Sequence, residues 1–360
     1  MRTTILAFLA ILMTCSSLSF ADAPKKNAFE VKNGVNISHW LSQSGTRGER
    51  RANYFTRADV EYIASLGYDH IRLPIDEEQM FTDDGQKEPE AFRLLHNALG
   101  WCDEFKLRVV VDLHILRTHH FNEAEKPLFT DVKAQEQFYE CWRKLSGELS
   151  KYSIDKVAYE TMNEPVADNP EIWNVIVNRC VEVIRELEPE RTIVMGSNRW
   201  QGYATVKDLR VPENDPNILI SFHYYDPFLL THYKASWTHL KDMADVPVHY
   251  PGQLIANADL AAAGNHAQAG REVYNIDKME GHFKQVIEAA KKYNLNIYCG
   301  EYGCINAAPH AAKIRWYKDM TTLFERHGIA RANWDYKGGF GILRGTEPQT
   351  EMINAILGKE

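Results

Sequence analysis

The sequence is poor in cysteine, with six in 360 residues, and has no internal repeat, low-complexity tract or Pro/Ser-rich linker. Without a repeat or linker, solenoids and multi-domain arrays are excluded, and the length fits one large domain or two small ones. Positive charge is also scarce: 41 lysine plus arginine stand against 49 aspartate plus glutamate, a formal charge of −8. A basic surface able to neutralise phosphates is therefore missing, and nucleic acid is not an expected partner. The 21 glycines and 14 prolines give no collagen-like bias. What is present is apolar and aromatic: 44% hydrophobic and 11% aromatic residues supply a sizeable core and rings to spare.

The one conspicuous apolar run is N-terminal. Arg2, then apolar residues from Ile5 to Met13, then Ser19-Phe20-Ala21 form the pattern of a secretory signal peptide over residues 1–21, with cleavage after Ala21. The run is too short to span a bilayer, so no membrane span is expected, and the protein is expected to be secreted or periplasmic. An alternative processing site, Leu12-Met13-Thr14-Cys15, would instead leave a lipid anchor on Cys15 at the cell surface, although threonine before the cysteine matches poorly. Five cysteines remain. Cys102, Cys141 and Cys180 fall in helical patterns, and Cys299 and Cys304 lack metal or redox spacing, so all five read as structural thiols.

From residue 22 onward, short β-branched runs alternate with segments of helical period. The strand candidates are 34–37, 70–73, 109–114, 157–164, 192–195, 218–223, 296–301 and 330–334, with helices such as 56–65 and 169–187 between them. Eight strand–helix units predict an α/β fold closed into a (β/α)8 TIM barrel over residues 22–360, with a long irregular insertion at about 226–274.

Buried parallel strands read as continuous apolar runs, so the informative residues are those that interrupt them. Arg72, His114, Asn163, Glu164, His223, Tyr225, Glu301 and Trp334 stand at or just past strand C-termini, which a barrel gathers on one face. Glu164 and Glu301, after the fourth and seventh strands, would then face each other. Two carboxyl groups in unequal surroundings suit glycosidic bond hydrolysis: one donates a proton to the leaving oxygen while the other, ionised, attacks the anomeric carbon. Arg72 and Tyr225 are placed to keep Glu301 ionised, whereas Glu164, near His223, keeps its proton longer.

These residues lie in an ordered set: Gly34-Val35-Asn36, Ile71-Arg72-Leu73-Pro74, Val111-Asp112-Leu113-His114, Met162-Asn163-Glu164-Pro165, His223-Tyr224-Tyr225, Gly300-Glu301-Tyr302-Gly303 and Asn333-Trp334. With them the chain resembles glycoside hydrolase family 5, the cellulase family of retaining (β/α)8 enzymes. The resemblance implies Glu164 as acid/base, Glu301 as nucleophile, and Asn163 as the group binding the sugar 2-hydroxyl. It also implies Arg72 and Tyr225 positioning Glu301, His114 and His223 holding substrate or tuning Glu164, and Trp334 as a stacking floor. No metal or cofactor is implied. The substrate expected is a β-linked polysaccharide or oligosaccharide, foremost a β-1,4-glucan of cellulose-like, mixed-linkage or xyloglucan type, cut endo-wise.

Loop aromatics Trp40, Trp200, Phe228, Tyr233 and Trp237 are further sugar-platform candidates, Trp40 and Trp200 foremost. The competing readings are a β-mannanase or xylanase of the same fold, a non-catalytic carbohydrate-binding barrel, and a metal-dependent hydrolase using His114, His119 and His120, whose spacing fits no standard metal site. Asn36-Ile37-Ser38 matches a glycosylation sequon, but at the barrel mouth a glycan would block the site, so it reads as coincidence.

Overall fold

The computed structural model describes residues 28–359, so the expected signal peptide and Cys15 lie outside the described residues. In chain order the principal elements are β1 (Asn33–Asn36), α1 (Arg57–Ser65), β2 (His70–Asp76), α2 (Pro89–Glu104), β3 (Arg108–Ile115) and α3 (Val132–Leu149). They continue with β4 (Val157–Glu160), α4 (Pro170–Leu187), β5 (Ile193–Gly196), β6 (Ile218–Tyr224), α5 (Ile276–Lys291), β7 (Asn296–Tyr302), α6 (His310–His327), β8 (Ala330–Asn333) and α7 (Thr350–Leu357). The eight strands close into one barrel, and every neighbouring pair is parallel. The expected architecture is thus observed, with two differences. The β5–β6 crossover holds a short 3₁₀ helix, Tyr203–Asp208, where an α-helix was expected. The fourth strand ends at Glu160, four residues before the expected end at Glu164, and the chain leaves the ladder there.

Helix boundaries follow from local chemistry. Asp59 reaches back to accept the Thr56 backbone N–H at 2.8 Å, closing the start of α1. Asn169 accepts from the N–H groups of Glu171 and Ile172 ahead of α4, with Pro170 in the first turn. The helices then grip the strand ends through buried indoles. Trp142 on α3 donates to Thr161 O, Trp173 on α4 to Gly196 O, and Trp316 on α6 to Asp226 O, at 2.8, 2.8 and 2.9 Å. Each bond satisfies an N–H that burial would otherwise orphan and fixes a carbonyl beside the upper face of the barrel.

Strand alternation decides what fills the interior. Val110, Ala158, Val194, Leu219, Tyr298 and Ala332 form one buried cluster with Phe29. Two residues nearer the C-terminal ends, the inward positions become Asp112 and Glu160, facing Arg72. A bulge completes the change: Phe222 pairs with Cys299 but His223 pairs with Glu301, so Gly300 is the extra residue. A Cβ on Gly300 would lie 3.1 Å from Ser221 Oγ and 3.2 Å from His223 Nε2, so a larger residue would crowd both side chains at the point where the bulge brings Glu301 level with His223.

The insertion after β6 is more ordered than expected. It contains a helical turn, Phe228–Thr231, and its far end is clamped by the antiparallel pair Gly252–Gln253 with Val273–Tyr274. Cys102, Cys141 and Cys180 lie on α2, α3 and α4, and all five described cysteines are free and buried. Asn36 of the sequon is also fully buried, its amide donating to the carbonyls of Gly300 and Ala332. No helix among the described residues is long and apolar enough to cross a membrane.

Candidate active site

Arg72 is the hub of the barrel's upper end. It is fully buried and donates to Glu301 at 2.7 Å, Asn36 at 2.9 Å, Glu160 at 2.6 and 3.1 Å and Asn163 at 2.9 Å, with Asp112 at 3.0 Å. One guanidinium thus faces three buried carboxylates, an arrangement its fixed fork of donors can serve and a lysine cannot. Tyr225 donates its hydroxyl to the other oxygen of Glu301 at 2.9 Å.

Glu164 sits across from this pair. His223 Nδ1 is 2.9 Å from Glu164 Oε1 and 3.7 Å from Glu301 Oε2, and one carboxylate oxygen of each glutamate with that nitrogen falls within 4.8 Å. Glu164 itself has a φ of 45°, a left-handed conformation that a glutamate adopts only when its surroundings impose it. Arg199, Trp200 and Gln201 continue the theme with φ of 58°, 58° and 53°. Left-handed helical residues cost about 1–2 kcal/mol each, so this turn is held by its contacts. It sends Trp200 outward, 45% exposed, and Gln201 inward, fully buried.

The two carboxyl groups titrate differently. Burial pushes Glu164 well above the usual carboxylate range, and the adjacent Glu301 charge pushes the same way against the pull of Arg72. Burial raises Glu301 too, but Arg72, then His114 and the Tyr225 hydroxyl, draw it back down. As the pH rises the first proton therefore leaves from Glu301 and the last from Glu164, a sequence belonging to the pair. Burial, helped by Arg72 and His114, holds His223 well below the ordinary imidazole value, so its ring is neutral beside Glu164. Burial likewise lowers His114 to about 3 and raises Asp112 to about 7 against the Arg72 charge.

Around the glutamates lies a receptive surface. Asn163 Nδ2 is a buried donor without a partner among the described residues, its Oδ1 being taken by Arg72. His114, 1% exposed, bonds Asp112 at 2.6 Å and lies parallel to Trp334, 9% exposed, with ring centres 5.7 Å apart. Beyond Trp334, His39 meets it edge-on at 6.2 Å and lines a pocket of about 200 Å³ with Trp40, Ser44, Arg50 and Tyr54.

Trp40 requires correction. Expected as an exposed platform, it is 1% exposed, packed on Phe55, with its indole N–H donated to Arg51 O at 2.7 Å. Tyr233 is buried as well, whereas Phe228 and Trp237 stand exposed on the insertion. His119 packs edge-on to Phe129, and His114, His119 and His120 do not form a ligand cluster among the described residues. The trio that does, Glu164, His223 and Glu301, has Arg72 at 2.7 Å from Glu301, a fixed positive charge where a bound cation would add another, so it suits protonation chemistry rather than metal binding. Three further polar residues of the site, Glu160, Asp112 and Gln201, are not singled out by the strand-end pattern. A charged residue inside an otherwise apolar strand was the available signal for the first two; Gln201 carried none.

A family model for cellulase, glycosyl hydrolase family 5, matches residues 28–339. The chain belongs to that family. It is accordingly a glycoside hydrolase. Endoglucanase C of Acetivibrio thermocellus is 30% identical over 314 residues, 85% of this chain and 91% of that protein. Cellodextrinase A of Ruminococcus flavefaciens is 31% identical over 302 residues, 83% of each. A solved endoglucanase superposes with a TM-score of 0.75 at 25% identity, covering 91% of this chain and 97% of that one. For a family 5 hydrolase, the upper barrel face with its two glutamates is where glycosidic chemistry has to be sought.

Proposed function

We propose that the protein is an exported endo-β-1,4-glucanase that hydrolyses its substrate by double displacement with retention, using Glu301 as nucleophile and Glu164 as acid/base. The observation that carries this reading is the proximity of the two carboxylates, with oxygens within 4.8 Å of each other. Retaining pairs stand about 5–5.5 Å apart, whereas inverting pairs need about 6.5–9.5 Å to admit a water between them. Endoglucanase and cellodextrinase relatives support a β-glucan as substrate.

In the first step, the ionised Glu301, held by Arg72 and Tyr225, attacks the anomeric carbon while Glu164 gives its proton to the departing glycosidic oxygen. The C–O bond to the leaving sugar breaks as a glycosyl ester forms on Glu301. Glu164, now ionised, next takes a proton from water, the resulting hydroxyl attacks the same carbon, and Glu301 leaves as carboxylate. The free Asn163 Nδ2 is available to the sugar 2-hydroxyl, and Trp334 backed by His114 offers a ring face to the sugar at the scissile bond. Trp200, exposed at the mouth, suits a neighbouring sugar.

A panel of soluble β-glucan, xyloglucan, mannan and xylan, read by product length, tests the reading. Internal cleavage of β-1,4-glucan is expected, and cleavage of mannan or xylan alone would overturn the choice of sugar. Export is tested by N-terminal sequencing of protein recovered outside the cytoplasm, which should begin at Asp22.

A further inference from the structure

We propose that Gln201 is a positioning residue for the acid/base: it clamps the strained Glu164 backbone and the His223 strand together, and so sets where the Glu164 proton points. This rests on the acid/base role given to Glu164 above. The side chain is fully buried and uses both ends of its amide. Its Oε1 accepts the Glu164 backbone N–H at 2.9 Å, and its Nε2 donates to Glu160 Oε1 at 3.1 Å. Only this orientation works, because one partner is a donor and the other an acceptor-only carboxylate. Glu160 in turn is gripped from the opposite side by Arg72, which also holds Glu301. The main chain of Gln201 adds a third hold, its carbonyl accepting from the His223 N–H at 2.8 Å, and His223 is the residue whose ring touches the Glu164 carboxyl.

One residue therefore spans β4, β5 and β6 and supports Glu164 from both its backbone and its ring neighbour. The fold makes room for it specifically: a Cβ on Gly196 would lie 2.0 Å from Gln201 Nε2. The left-handed turn at 199–201 delivers the side chain into that space. Without the clamp, nothing else among the described residues bonds the Glu164 N–H, and a residue at φ 45° has a more comfortable conformation to relax into.

Two substitutions separate positioning from mere space filling. Gln201→Met keeps the volume and removes both side-chain bonds. Gln201→Glu keeps the shape, and its carboxyl reproduces the accept-and-donate pattern only while protonated. Once ionised it would face the carboxylate of Glu160 on β4, with Glu164 beyond β4, Arg72 on β2 reaching it only through Glu160, and neutral His223 on β6. The kcat/KM of Gln201→Met should fall at least ten-fold more on β-glucan, whose leaving group needs a proton, than on an aryl cellobioside with an activated leaving group. The basic limb of the Gln201→Glu pH profile should move to lower pH, with activity recovered towards acid. Gly196→Ala, which pushes the side chain out without altering it, should reproduce the glucan-selective loss.

A glucan-to-aryl ratio and pH profile equal to the wild type in Gln201→Met and Gln201→Glu, whatever their melting temperatures, would overturn the assignment. Should Gln201→Met fail to fold, the pH shift of Gln201→Glu decides alone. Glu164→Gln measured alongside separates the two failures: full glucan activity there would overturn the acid/base reading itself, whereas its loss, with unchanged Gln201 variants, would overturn only the role of Gln201.

Discussion

The two halves of the barrel interior are built from the same strands and solve opposite problems. Below, Val110, Ala158, Val194, Leu219 and Ala332 pack as an apolar plug. Above, two residues along the same strands, Asp112 and Glu160 join Glu301 around a single guanidinium. The plug gains from burial alone, at roughly 25 cal/mol per Å² of apolar surface. The upper half gives up that gain to bury charges that only mutual pairing makes tolerable. One half therefore sets stability and the other sets chemistry, and substitutions should sort accordingly.

The largest effect is expected at the nucleophile. Glu301→Gln should lower turnover of β-glucan by about 10³-fold or more while leaving oligosaccharide binding measurable by calorimetry. Arg72→Met should damage both properties, since it strands Asp112, Glu160 and Glu301 in the interior; a loss of about 3–5 kcal/mol in denaturant unfolding is expected, with activity abolished. Leu219→Ala, in the plug, should cost about 2–5 kcal/mol in the same unfolding assay yet leave the kcat of the folded protein near wild type. A large kcat loss there would erase the distinction between the halves. Trp200→Ala should do the reverse, raising KM by an amount equivalent to about 1 kcal/mol with a melting temperature close to wild type, because its side chain is 45% exposed and stands outside the core.

The smallest effect concerns pH. Burial raises the folded-state pKa of Glu164, so the stability associated with its neutral form is complete below the unfolded value of about 4.3 and is lost as pH rises through the raised folded value. Glu164→Gln removes that titration. Its melting temperature should fall less than that of the wild type as pH is raised from mildly acid to mildly alkaline, and an identical decline would show that Glu164 does not titrate in this window.

The strands were legible because a parallel barrel buries both faces, leaving apolar runs whose ends are marked by polar residues. Arg72, Asn163, Glu164, His223, Tyr225 and Glu301 were visible for that reason, and their side chains gather at one face. Glu160 is masked because the sequence pattern extends the fourth strand to Glu164, four residues past its end in the structure, which makes its true inward end look like an interior position. Gln201 was invisible: it lies in a loop, and its importance comes from Glu160 and Glu164, 41 and 37 residues away, and from the space beside Gly196. Trp40 was misjudged for the same cause, its burial being decided by Phe55 and the Arg51 carbonyl, contacts that no local pattern announces.

The most direct test of the facing carboxylates is the anomeric configuration of the first product, followed by proton NMR as a cellooligosaccharide is cleaved. Carboxylate oxygens within 4.8 Å of each other suit the spacing of a retaining pair, so the β-anomer should form first and then mutarotate. Initial appearance of the α-anomer would contradict the double displacement and, with it, the role assigned to Glu301.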